Sequence, residues 1–141
     1  SDGQVLRTPI DGISVQGRGA GGVSGIKLRG GSTVVGAGPV LADDLLITVT
    51  TDGAAKATPL AEFEGRGRGG VGIRATKLAD GSALTLAQVG TVVDLLAIMA
   101  RDDDPKKPDP SPVPLLLEPT KRDLVSIATE RQVLALGPSR W

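Results

Sequence analysis

The residues of this chain best suited to chemistry are basic ones embedded in glycine. Arg18 stands in Gly17-Arg18-Gly19-Ala20-Gly21-Gly22, and Arg66 and Arg68 stand in Gly65-Arg66-Gly67-Arg68-Gly69-Gly70. Lys27, Arg29, Arg74 and Lys77 follow shortly after these stretches; Arg7 and Lys56 precede them. Guanidinium and ammonium groups on loops of this kind are suited to phosphate, through charge-assisted hydrogen bonds. Few other chemistries are open. The 141 residues include no His, no Cys and no Tyr, which removes imidazole acid–base catalysis, thiolate nucleophiles, structural zinc and any phosphotyrosyl bond to DNA. The remaining Ser, Thr, Asp, Glu and Lys residues form no catalytic motif, so no catalytic residue, cofactor or metal is assigned. Asp102-Asp103-Asp104, in a Pro-rich stretch, reads as a solvated charge cluster rather than a cation site.

Both glycine stretches satisfy G-x-G-x-x-G. A dinucleotide site needs a strand before that motif, a helix after it and an acidic residue about 20 positions on. Here Val23-Ser24-Gly25-Ile26-Lys27-Leu28 follows, with no helical stripe. A disordered Arg-Gly segment that binds RNA is the other familiar setting, but such tracts interleave aromatics and lack flanking apolar strands. The glycines fit a third reading, a sheet protein whose chain must turn tightly or approach its neighbour closely. On that reading Lys27, Arg29, Arg68, Arg74 and Lys77 face solvent and phosphate. Arg18 and Arg66, at matching positions, suit either phosphate contact or bonding to backbone carbonyls between units.

The elements that must position these residues are repeated. Asp2-Gly3, Thr8-Pro9, Gly17-Arg18-Gly19, Gly21-Gly22-Val23 and Lys27-Leu28 recur as Asp52-Gly53, Thr58-Pro59, Gly65-Arg66-Gly67, Gly69-Gly70-Val71 and Lys77-Leu78. The offset is about 50, slipping to 48 across the glycines, as in repeat architectures. Short apolar or β-branched runs predict strands at Gln4–Leu6, Thr33–Val35, Leu45–Thr50, Ala83–Val89, Leu95–Met99, Val113–Leu117, Leu124–Ala128 and Val133–Leu136. A hairpin at Asp52-Gly53 returns near Ala55–Thr58. Ala87–Ala100 is long and apolar enough for a helix, but its β-branched residues and Gly90 predict two strands. Asp44-Leu45-Leu46 returns as Asp94-Leu95-Leu96 and again as Asp123-Leu124-Val125. The expected units are therefore residues 1–42, 43–92 and 93–141, the last interrupted by a Pro-rich loop over 101–122. A chain that opens and stops inside a unit is expected to be a fragment of a longer polypeptide.

Net charge is zero, yet the cations follow the glycine cassettes while acids gather in the C-terminal half. No apolar run reaches about 18 residues, so no membrane partner is expected, and a cytoplasmic location is the default.

The cassette resembles the repeat of the C-terminal domain found in the DNA gyrase A protein and in its topoisomerase IV counterpart. The residues that carry the likeness are Thr58-Pro59-Leu60-Ala61-Glu62-Phe63 leading into Gly65–Val71, and Gln16–Leu28. The likeness is close over about residues 1–92 and weak beyond Asp94. It implies an all-β fold, a partial β-pinwheel of two to three blades, whose rim binds and bends duplex DNA without reading sequence. The implied partners are duplex DNA and the catalytic core and B subunit of a type IIA topoisomerase. The implied DNA-binding residues are Arg18, Lys27, Arg29, Lys56, Arg66, Arg68, Arg74 and Lys77. The gyrase box Gln-Arg-Arg-Gly-Gly-Lys-Gly is not matched, since Gln16–Gly22 lacks its second Arg and its Lys. Gyrase and topoisomerase IV therefore both stay open. The alternative from another class is a β-repeat scaffold that binds protein.

Overall fold

The computed structural model describes residues 1–42, 44–91 and 95–138; Asp94, where the third unit is expected to begin, and Trp141 lie outside them. Among the described residues the fold is all-β. Strand β1 spans Gln4–Val5, β2 Leu45–Thr50, β3 Ala54–Pro59, β4 Ile73–Arg74 and β5 Leu84–Gly90. They are followed by β6 Leu95–Met99, β7 Val113–Pro114, β8 Ile127–Ala128 and β9 Val133–Pro138. The only helical pieces described are single 3-10 turns at Ile10–Gly12 and Leu60–Glu62. The strands form three antiparallel sheets, in the orders β1-β4, β5-β2-β3-β8 and β7-β6-β9. The long apolar stretch from Ala87 divides between β5 and β6, as its β-branched content predicts.

Strand β2 is central and alternates. Ile47 and Val49 turn to one side, where they join Ala55, Ala57, Leu95, Ala97, Met99, Leu115 and Val133 in the core between the second and third sheets. Leu46 turns to the other side and joins Leu60, Phe63 and Ala75, with Val5, Val40 and Val89 against them. With a single Phe in the chain, these cores are tiled from small aliphatic side chains. Phe63, fully buried, is the largest piece.

Consecutive units exchange strands, and they do so identically. Unit two sends β4 back to pair with β1 of unit one, Gln4 against Arg74 and Val5 against Ile73. Unit three sends β8 back to pair with β3 of unit two, Ala54 against Ala128 and Ala55 against Ile127. The flanking bonds repeat as well. Arg66 N donates to Arg7 O at 2.8 Å, as Thr120 N does to Ala57 O at 2.9 Å. Ala75 N donates to Gly3 O at 2.8 Å, as Thr129 N does to Gly53 O at 3.0 Å. Each unit therefore completes its predecessor's sheet, a nearest-neighbour linkage of the kind that repeat folds depend on.

That register corrects three sequence expectations. Thr33–Val35 forms no strand; residues 34–40 instead lie along β5, so close that a Cβ on Gly36 would sit 2.1 Å from Ala87 O. Asp123-Leu124-Val125 is not a return of the β2 phrase. Lys77 N bonds Leu124 O as Lys27 N bonds Gly70 O, so Asp123 occupies the place of Gly69. Both residues have positive φ, 68° and 79°, a conformation that Asp tolerates better than most side chains. Finally, Leu95 takes the place of Leu46 rather than of Leu45. The bulges at Val49/Thr50 and Ile98/Met99 fix this offset, and a one-residue shift exchanges the faces of a strand. Within 101–122, Val113–Pro114 pairs with β6 and Pro108 bridges to Ala100.

Candidate nucleic-acid interface

The glycine cassettes meet one another along the chain of units. Lys27 N donates to Gly70 O at 2.8 Å, and Gly69 N donates to Gly25 O, so the first cassette is stitched to the second. Lys77 N donates to Leu124 O at 3.3 Å, which stitches the second to its degenerate third copy. The glycines are needed where the backbones touch. At Gly72, φ is +80° and a Cβ would lie 2.6 Å from Val5 O, inside the β1–β4 crossing.

The eight expected site residues divide into three groups. Arg18, Lys27, Arg29, Arg66 and Lys77 are exposed, and among the described residues their side chains make no hydrogen bond or ion pair. They occupy the cassettes of units one and two, with Arg18 matching Arg66 and Lys27 matching Lys77. Arg68 and Arg74 are also exposed but already engaged. Arg68 Nε donates to Gly12 O at 3.2 Å, tying two units together. Arg74 Nε donates to Asp123 Oδ1 at 2.7 Å, and that hydrogen bond holds the Asp123 carboxyl below its ordinary pKa, with the Arg122 charge adding to it.

Lys56 is the correction. It is 3% exposed, and its Nζ donates to Ala75 O at 3.0 Å and Leu124 O at 3.1 Å. Burial pushes its pKa below the usual lysine value, against the pull of Asp123 and Glu62. Lys56 alternates with Ala55 and Ala57 on β3, a strand buried on both faces, so its ammonium caps carbonyls and is closed to phosphate. Arg7 has a similar part, its Nη1 donating to Leu60 O at 3.2 Å and Phe63 O at 3.3 Å. Neither role was legible in sequence, because both acceptors are backbone atoms supplied by other loops.

Unit three departs from this pattern. Arg131 occupies the place of Lys77, but its guanidinium bonds Asp109 at 2.9 Å and lies 3.8 Å from Asp102. Arg122 occupies the place of Arg68 and pairs with Asp123 at 2.7 Å. Asp103 and Asp104 are taken by Arg101 and Lys107, and the described residues hold no acidic cluster fit for a metal. The free positive charge is therefore concentrated on units one and two, although Lys106 and Lys121 of unit three are also exposed and, among the described residues, make no side-chain hydrogen bond or ion pair.

The chain is thus an all-β repeat fold, joined by strand exchange and edged with glycine loops that carry free cations. A family profile described as DNA gyrase C-terminal domain, beta-propeller, matches residues 1–40 and 44–89, more than half the chain and nearly coextensive with units one and two. The chain belongs to that family. Comparison with curated proteins gave no match. Among solved structures, the fold is similar to the one titled crystal structure of the C-terminal domain of DNA topoisomerase IV, with a TM-score of 0.78 and 19% identity. The alignment covers 97% of this chain and 44% of that one, so this chain spans under half the length of the structure it resembles.

Proposed function

We propose that this chain binds duplex DNA without regard to sequence and bends it along the cassette edge, as part of the A protein of a type IIA DNA topoisomerase. The observation that carries this reading is the set of five exposed, unengaged cations, Arg29 and the matching pairs Arg18 with Arg66 and Lys27 with Lys77, on or beside glycine loops stitched edge to edge. Neutralising phosphates releases condensed counterions, the main source of sequence-independent affinity. An edge made of successive units offers phosphate contacts along an arc, and those contacts offset the elastic cost of bending. The described helical pieces are single 3-10 turns, and base reading in the major groove calls for an α-helix or a β-ribbon inserted there. On this reading the partners are duplex DNA and the topoisomerase's catalytic core and B subunit, and the location is the cytoplasmic nucleoid.

The test is binding to end-labelled duplexes of unrelated sequence, with energy transfer between the ends. The expected result is similar affinity for every sequence and a shorter end-to-end distance on binding. Affinity confined to one sequence, or a bound duplex that stays straight, would refute the reading.

A further inference from the structure

Units two and three turn their central hairpins differently. In unit two, β2 and β3 are joined by a tight turn in which Gly53 N donates to Thr50 O at 3.1 Å. The carboxylate of that turn, Asp52, accepts from Ser82 Oγ at 3.0 Å, and Lys77 is left free. In unit three the same join, from β6 to β7, runs through residues 100–112. Arg101 N donates to Lys107 O at 2.9 Å and Asp109 N to Met99 O at 2.8 Å, so the loop stands as a continuation of β6. It carries Asp102 and Asp109 onto Arg131, which fills the place of Lys77. Arg131 Nη1 donates to Asp109 Oδ2 at 2.9 Å and to Ala100 O at 3.3 Å, and its Nε lies 3.8 Å from Asp102 Oδ1. Ser111 N donates to the other carboxylate oxygen of Asp109 at 3.0 Å, which fixes the acceptor in position. The cassette itself repeats the device. Asp123, in the place of Gly69, takes both Arg74 and Arg122 at 2.7 Å. Every described arginine of unit three thus ends on a carboxylate, whereas Arg18, Arg29 and Arg66 end on none among the described residues.

We propose that Asp109, flanked by Asp102, is an internal phosphate surrogate that withholds Arg131 from DNA, that Asp123 does the same for Arg122 and Arg74, and that these carboxylates set how far along the units a duplex is gripped. The inference rests on the DNA-binding reading and adds to it the residues that limit the site. A carboxylate offers a guanidinium the same charge-assisted pair of acceptors as a phosphate. Arg131 and Asp109 are each only 28% exposed, so salt screens their attraction less than it screens a contact on the open edge. The remaining exposure leaves Arg131 a path to solvent once its acceptors are neutral. The acceptors come from a loop that unit two lacks, so the neutralisation belongs to the hairpin of unit three and not to the cassette cation it covers.

The test is the salt dependence of duplex affinity, measured on the whole chain. Asp102→Asn with Asp109→Asn keeps an acceptor for Ser111 N and removes both charges that face Arg131. Log affinity should then fall against log salt more steeply than in wild type by about 0.9, the increment for one added phosphate contact. Adding Arg131→Ala to that pair should return the slope to the wild-type value. Asp123→Asn tolerates the positive φ of 68° and frees two guanidinia, so it should steepen the slope by about 1.8. The control is Asp80→Asn with Glu118→Gln, which removes two exposed carboxylates that hold no cation among the described residues; the slope should not move. A control that steepens the slope as much as the Asp102 and Asp109 pair does, or a gain that Arg131→Ala fails to reverse, would assign the effect to general repulsion and overturn the proposal. A wild-type slope of about −4.5 that the Asp102 and Asp109 pair and Asp123→Asn leave unchanged would overturn it while DNA binding stands. A wild-type slope near zero would overturn both.

Discussion

Replacing Lys56 with Met separates an architectural lysine from a DNA-binding one. The substitution keeps the apolar stem and removes the ammonium, so Ala75 O loses its donor at 3.0 Å. Leu124 O loses one at 3.1 Å but keeps Thr76 Oγ1 at 3.0 Å and Lys77 N at 3.3 Å. One effectively abandoned carbonyl costs about 1–3 kcal/mol. Relief of the buried charge returns part of that, leaving a net loss of roughly 1–2 kcal/mol. The midpoint of thermal unfolding should fall by on the order of 5 °C. The pH profile adds a second readout. The folded-state pKa of Lys56 is lowered, so the folded protein releases this proton before the unfolded chain does. Between that depressed value and 10.5 the unfolded state binds more protons, and wild-type stability gains from this group as pH rises through the window. Lys56→Met lacks that gain. DNA affinity and its salt dependence should not move, because the side chain is 3% exposed. A variant with unchanged stability whose affinity falls and whose salt slope flattens by about 0.9 would refute the reasoning and return Lys56 to the interface.

Phe63→Ala removes the largest fully buried side chain and should lower stability by about 3–5 kcal/mol in urea titrations. Gly72→Ala places a Cβ 2.6 Å from Val5 O at φ +80°; a loss of about 2–4 kcal/mol is expected, with faster amide exchange at β1 and β4. Asp123 has a lowered folded-state pKa, owing first to the Arg74 hydrogen bond. Its contribution is present above the ordinary carboxylate pKa and is lost as pH falls through the folded value, so acid should destabilise wild type more steeply than Asp123→Asn below about pH 4.

The sheet content, the hairpin at Asp52-Gly53 and the division of the apolar stretch from Ala87 could be read directly, because alternation and turn residues are local signals. The duplicated cassette also located the glycine loops at which units one and two are stitched together. What could not be read was long-range. Strands β4 and β8 are two residues long, too short to show a period, and each exists because it pairs with the preceding unit. Asp123 conceals the third cassette, because the glycine that would have marked it is replaced by a residue that reaches the same positive φ. Burial of Lys56 and neutralisation of Arg131 depend on carbonyls and carboxylates from distant loops. A count of cations along the chain therefore overstates the basic edge in unit two, where Lys56 is buried.

The most direct measurement of the cassette edge as a DNA surface is the salt dependence of duplex affinity. With Arg18, Lys27, Arg29, Arg66 and Lys77 each neutralising one phosphate, log affinity should fall against log salt with a slope of about −4.5. The triple variant Arg18→Ala, Arg66→Ala, Lys77→Ala should flatten that slope by about 2.7 while the fold is retained. A slope near zero for the folded chain, or one that the triple variant leaves unchanged, would contradict the account.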